Sequence, residues 1–139
     1  MSDTAAIEAL LPPYARELGM RVERIEDGLP VLAYDFSLRV QGRPGYLHGG
    51  ALSGLLEMAA IAALRSDLAR RGAIVRLKPV NIAVEFMRGG RSQRTYAIGR
   101  ITRAGRRMAN VAAEAWQDDR TKPIATALMN VLLVAEREE

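Results

Sequence analysis

The 139-residue chain has no cysteine and only one histidine. The first absence excludes a disulfide framework, a thiolate metal site and a thiol nucleophile. The second leaves few side chains to hold a transition metal, and no cofactor is expected. Aromatics make up 5% of residues, too few for the stacking platforms that grip single-stranded nucleic acid. The opening "MSDTAAIEAL" lacks the basic, apolar, small-residue succession of a secretory signal. The apolar run from Gly49 to Leu64 has 16 residues with Glu57 in its middle. As a helix it reaches roughly 24 Å, and a bilayer span needs about 20 residues. The expectation is a cytoplasmic protein with no membrane attachment. Lysine is scarce too: 18 arginines stand against 2 lysines, at a net charge of +4.

What is present suits one globular domain over residues 1–139, with residues 1–20 as an N-terminal helical segment. The length supports one core, and hydrophobic residues at 49% can fill it. Residues 4–20 read as helix, interrupted or restarted at Pro12-Pro13 and stopped at Gly19. "MRVERIED" and "PVLAYDFSLRV" alternate apolar and polar residues as strands do. Asp27-Gly28 between them favours a hairpin. "QGRPGY" is a loop by its glycine and proline. A helix is expected from Gly49 to about Arg70, apolar nearly all round until Arg65 and so buried rather than amphipathic. Three or four strand-like runs follow, within "PVNIAVEFM", "RTYAIGRITRAG", "RRMANVAAEAWQD" and "PIATALMNVLLVA". Turn signals separate them at Arg88-Gly89-Gly90, Ala104-Gly105 and Asp118-Asp119. The pattern predicts an α+β layout in which an antiparallel sheet covers one central helix.

The chemistry gathers at "PGYLHGGALSGLLEMAAIAAL", residues 44–64. The first amides of a helix lack intrahelical partners and lie at the positive end of its dipole. Glycines there let a ligand approach bare backbone, so "HGG" offers a seat for an anion or a polarised carbonyl. Gly49 is the expected donor. Glu57 lies a little over two turns further on. A carboxylate in an apolar helix must find a partner or titrate upward. It either pairs structurally, with Arg39 or Arg76 for example, or serves chemistry. At a subunit boundary it would face a carbonyl polarised by the neighbouring chain's helix start.

These residues resemble a hotdog-fold acyl-CoA thioesterase of the phenylacetate-degradation type, over about residues 30–135. "GYLHGGAL" with an acid nine residues after His48 carries the likeness most specifically. "PVNIAVEFMRGG" resembles the strand after the helix, and "GRRMANVAAEAWQDDRTKPIATALMNVLL" the two closing strands. The resemblance implies a long helix wrapped by a curved antiparallel sheet, and a homodimer or a homotetramer built as a dimer of dimers, with active sites at the dimer interface. It implies a thioester hydrolase that splits aryl- or fatty-acyl-CoA into free acid and coenzyme A, in which Glu57 is base or nucleophile, the Gly49 amide polarises the carbonyl with Gly50 beside it, and His48 shapes the helix start. Two positions depart from the family. Gly42 stands where many members carry Asn or Gln, with Gln41 one residue away. Pro79 stands near the usual Ser or Thr, and Asn81 at the usual Asp two residues on.

Leu55, Met58, Ile61 and Met87 are expected to line an apolar acyl pocket. No acidic residue lies between Glu85 and Glu114, so that segment carries a positive field. Arg88, Arg91, Arg103, Arg106 and Arg107 lie in or near its turns and are candidates for the phosphates of coenzyme A. A solvated basic edge is the plain alternative. Three further readings stand beside hydrolysis: a non-catalytic acyl-CoA or fatty-acyl binder on the same fold, a nucleic-acid module suggested by the arginines, and a hotdog dehydratase. Few aromatics and the His48-to-Glu57 spacing speak against the last two, so no nucleic-acid partner is expected.

Overall fold

A computed structural model describes residues 3–136. Two short helices, α1 (Asp3–Ala9) and α2 (Pro13–Glu17), lead to the strands β1 (Arg21–Glu26) and β2 (Leu29–Tyr34). The long helix α3 (Gly49–Arg70) follows, and then β3 (Val75–Phe86), β4 (Thr95–Ala104), β5 (Met108–Trp116) and β6 (Ala125–Ala135). The six strands form one sheet in the order β1-β2-β4-β5-β6-β3, and every neighbouring pair is antiparallel. This is the expected α+β hotdog arrangement.

Local chemistry explains the joints. Asp27 and Gly28 have φ of 49° and 79°, and two consecutive left-handed residues make the hairpin turn whose twist matches its strands. Pro12-Pro13 ends the first helical stretch, and Pro13 opens α2 at a position where the missing amide costs nothing. Two expected boundaries shift. The second strand stops at Tyr34 rather than Val40, because residues 35–48 must leave the sheet and carry the chain to the start of α3. β3 begins at Val75, ahead of Pro79. Its outer edge has no partner strand among the described residues, so a proline facing that edge removes no ladder hydrogen bond, and a register shift sits between Pro79 and Asn81.

The core lies between α3 and one sheet face. Leu52, Leu55, Leu56 and Leu64 are buried there, and each such side chain contributes roughly 1.5–3 kcal/mol. Contact is closest at Gly99 of β4. A Cβ on Gly99 would stand 2.6 Å from the Ala59 carbonyl and 2.8 Å from the Ala60 Cα. Small residues on both sides bring the helix backbone against the sheet and set the position of the helix face that points away.

Candidate active site

Residues 38–48 run into α3 through a braced loop. The His48 amide donates to the Val40 carbonyl at 2.8 Å, and the Leu47 amide to Gly90 at 2.9 Å. His48 is the N-cap: its Nδ1 accepts from the Gly50 amide at 2.9 Å. That use of the ring makes it part of the helix start. Gly50 fits because a Cβ there would be 3.0 Å from the imidazole. The Gly49 amide, one residue earlier, has no hydrogen-bond partner among the described residues and faces solvent. It therefore combines an unused donor with the positive end of a 22-residue helix. The Phe86 ring walls it on one side, 3.5 Å from where a Gly49 Cβ would be.

Glu57 is half-buried on the face of α3 turned away from the sheet. It makes no hydrogen bond or ion pair among the described residues. Arg39, one candidate structural partner, pairs with Glu17 instead. One group does sense its charge. The Tyr14 phenol is held above its usual range by burial and then by the negative charge of Glu57. Tyr14 lies over α3 so closely that a Cβ on Gly54 would be 2.1 Å from its Oη. Behind it, the buried Tyr34 donates to the Ala51 carbonyl at 2.9 Å. Burial raises its phenol well above the ordinary range, with a smaller push from Tyr14.

The other expected residues separate into those near this face and those away from it. Met58 and Ile61 line an apolar slot of about 220 Å³ between α3 and α1, roofed by Ile7, Leu10 and Leu11. Arg65 closes its rim by donating to the Leu10 carbonyl at 3.2 Å. Leu55 is fully buried against the sheet and is core rather than lining. Met87 is exposed just beyond β3. Gln41 is engaged within its own loop, its Oε1 accepting from the Gly45 amide at 3.1 Å. A Cβ on Gly42 would stand 3.1 Å from the His48 Cα, so the loop is packed too tightly for a larger residue without a shift. Asn81 joins Asn130 and Asn110 in a cross-strand amide ladder, on the sheet face opposite α3.

The arginines also divide. Arg88 and Arg91 lie in the β3–β4 connection that braces the start of α3, and the Arg91 guanidinium sits 4.6 Å from the Tyr46 ring centre. Arg43, which sequence reasoning passed over, lies 4.0 Å from the same ring. Arg103, Arg106 and Arg107 occupy the β4–β5 hairpin at the other end of β4, roughly 30 Å away at the rise of a strand. Arg94 is used structurally, bridging Glu23 and Asp35 at 3.3 and 3.2 Å. Among the described residues no three His, Asp or Glu side chains gather as metal ligands would. No helix among them is long and apolar enough to cross a membrane. Tyr14 and Phe86 join the site through long-range packing, which leaves no periodic trace in sequence; Arg43 joins it through its own loop, over Tyr46.

One helix, wrapped by this sheet, carries a helix-start amide and a carboxylate without partners among the described residues, and comparison with known proteins supplies the class. The pattern of the thioesterase superfamily matches residues 44–124, so the chain belongs to that superfamily and is a thioester hydrolase of the hotdog fold. It is similar to the medium/long-chain acyl-CoA thioesterase YigI of Escherichia coli, with 30% identity over 114 residues covering 73% of this chain and 74% of that one. Two solved structures share its fold. One is a mutant of the thioesterase PA1618 from Pseudomonas aeruginosa, with TM-score 0.80 and 22% identity over 96% of this chain and 95% of that one. The other is a mutant of the phenylacetic acid degradation protein PaaI from Thermus thermophilus, with TM-score 0.73 and 23% identity over 87% of this chain and 98% of that one.

Proposed function

We propose that the protein hydrolyses medium- to long-chain acyl-CoA thioesters to the free acid and coenzyme A, with Glu57 as base or nucleophile. The observation that carries this is the Glu57 carboxylate: half-buried, without a hydrogen-bond or ion-pair partner among the described residues, and set among apolar residues. A carboxylate so placed is poised to take a proton from water or to attack a carbonyl.

Gly49 and Glu57 of one chain lie eight residues apart, roughly 12 Å along the helix axis. One thioester carbonyl cannot touch both. A second copy whose α3 start meets this Glu57 resolves the separation, and the free outer edge of β3 is where two sheets would join. The homodimer, and a tetramer formed from two such dimers, belong to this reading. The acyl chain then runs past Met58 and Ile61 into the slot beneath α1, whose lining is apolar. Arg88 and Arg91, together with Arg43, stand beside the Gly49 end for the phosphates of coenzyme A. Coenzyme A esters are handled inside cells, so a cytoplasmic location accompanies the reading.

The test is thiol release from a panel of aryl- and fatty-acyl-CoA esters by wild type and Glu57→Gln. A loss of roughly 100- to 10,000-fold in kcat, with the oligomer intact, is the expected result. A non-catalytic acyl-CoA binder is the second reading, favoured by the engaged Gln41 and the tight packing at Gly42. Tight binding of acyl-CoA by a wild type that releases no thiol would establish that reading and sink the first. Full turnover in Glu57→Gln would remove Glu57 from the chemistry.

A further inference from the structure

Residue 54 has no side chain, yet its place on the helix surface is occupied. The Tyr14 Oη lies 2.1 Å from the point where a Gly54 Cβ would stand, with Cε2 and Cζ at 2.9 Å. The phenol hydroxyl therefore sits where a polar side chain at position 54 would start. Positions 54 and 57 are one turn apart on the same helix face, where side-chain origins stand roughly 5–6 Å from each other. Tyr14 is thus a hydroxyl delivered from α2 to the turn preceding Glu57. It is 47% exposed, so a ligand at Glu57 can reach it. Its hydroxyl donates to no protein group among the described residues, and Glu57 accepts from none. The two are near enough for the charge on Glu57 to oppose ionisation of the phenol. Tyr14 consequently remains a proton donor throughout the neutral range.

We propose that Tyr14 is a further catalytic residue, whose hydroxyl holds and orients the hydrolytic water together with Glu57. The inference rests on the hydrolase reading above and supplies a polar group that Gly42 and Pro79 do not. A water that accepts from Tyr14 and donates to Glu57 has one lone pair and one proton fixed, and its remaining lone pair can be aimed at the thioester carbon. As the O–C bond forms, the water proton passes to Glu57. The carbonyl electron pair moves onto the oxygen held by the Gly49 amide of the second copy. Collapse of that adduct breaks the C–S bond, its electron pair leaves on the coenzyme A sulfur, and the proton on Glu57 is passed to that sulfur. Tyr14 keeps its own proton throughout. If Glu57 attacks first, the same water resolves the anhydride, and Tyr14 orients it in that second step.

Tyr14→Phe keeps the ring over Gly54 and removes only the oxygen. The expected result is a roughly 10- to 100-fold lower kcat, the effect of one hydrogen bond to a reacting group. KM should stay within about twofold and the loss should be equal for short and long acyl chains, with no change in melting temperature. Gly54→Ala puts a methyl group where the phenol oxygen lies, so the ring must leave. It should lower kcat by a similar factor, and the double variant should be no slower than the slower single one. Wild-type kcat in Tyr14→Phe, a loss confined to KM, or losses that multiply in the double variant would each overturn the assignment. These outcomes are separable from failure of the hydrolase reading, which would show as no turnover by wild type and would remove this inference with it.

Discussion

The two faces of α3 both use small residues, and they use them for opposite ends. Toward the sheet, Ala59, Ala60 and Ala63 meet Gly99, and the backbones close until no side chain fits between them. Away from the sheet, Gly50 and Gly54 leave room on the helix surface for side chains from outside the helix, the His48 ring and the Tyr14 phenol. On the first face smallness fixes the position of the helix. On the second it leaves room for chemistry. The difference explains why Glu57 can be partly buried without unfolding the protein, since the sheet face supplies the packing that anchors the helix and the other face needs to contribute little.

Breaking the sheet face should have the largest effect on the fold. Gly99→Leu drives a side chain into the Ala59 carbonyl and the Ala60 Cα, neither of which can rotate away. A loss of at least about 3 kcal/mol is expected, at or beyond the upper end of ordinary overpacking. Chemical denaturation measures it, and all turnover should disappear along with the folded state. Stability within about 1 kcal/mol of wild type would mean that α3 floats on the sheet and that its two faces do not differ as argued.

The helix start comes next in magnitude. His48→Ala removes the acceptor for the Gly50 amide, and losing such a cap costs about 1 kcal/mol. Urea denaturation reads the stability. Activity should fall only modestly, because the Gly49 amide remains while its geometry loosens. A collapse of kcat as deep as that expected for Glu57→Gln, at preserved stability, would instead make the imidazole a direct participant and overturn its assignment as a structural cap.

Much of this contrast was legible in the sequence, but unevenly. Helix α3 was readable from Gly49 to Arg70 because a glycine start, a continuous apolar run and terminal arginines all mark the same element. The β1–β2 hairpin was readable because Asp27-Gly28 is local turn chemistry. The second strand was read too long, since "DFSLRV" keeps alternating after Tyr34 although the chain there turns out of the sheet. β3 was read too short, because Pro79 resembles a boundary until its edge position is known. The arginines from Arg88 to Arg107 looked like one patch in linear order, and β4 sends them to opposite ends. Tyr14 and Phe86 gave no sequence signal: each reaches α3 by tertiary packing alone. The acid and the amide were local features and therefore visible. The groups that surround them were not.

The smallest effect expected is at the roof over the open face, and it carries a pH dependence. Glu8 ties α1 to β1 by accepting from Arg21 Nε at 2.8 Å and from the Val22 amide at 2.9 Å. The hydrogen bond from Arg21 is the main reason its carboxyl stays below the usual value of 4.5; burial opposes it, and the Val22 amide adds to the lowering. A lowered folded-state value means the unfolded chain binds the proton more readily. The tie is thus fully present above about pH 4.5 and is lost as pH falls through the lower folded-state value. Surface pairs of this kind contribute roughly 0–1 kcal/mol, so Glu8→Gln should barely change the denaturation midpoint at pH 7. Its consequence is local. With α1 loosened, Ile7, Leu10 and Leu11 no longer hold the slot over Met58 and Ile61, and the preference for long over short acyl-CoA should narrow by a few-fold while short-chain turnover persists. Below the titration of Glu8 the wild type should approach the variant in stability, because the tie that distinguishes them is then protonated in both states. An unchanged chain-length profile in Glu8→Gln at pH 7 would show that α1 does not roof the acyl path, and that the open face of α3 takes its selectivity from elsewhere.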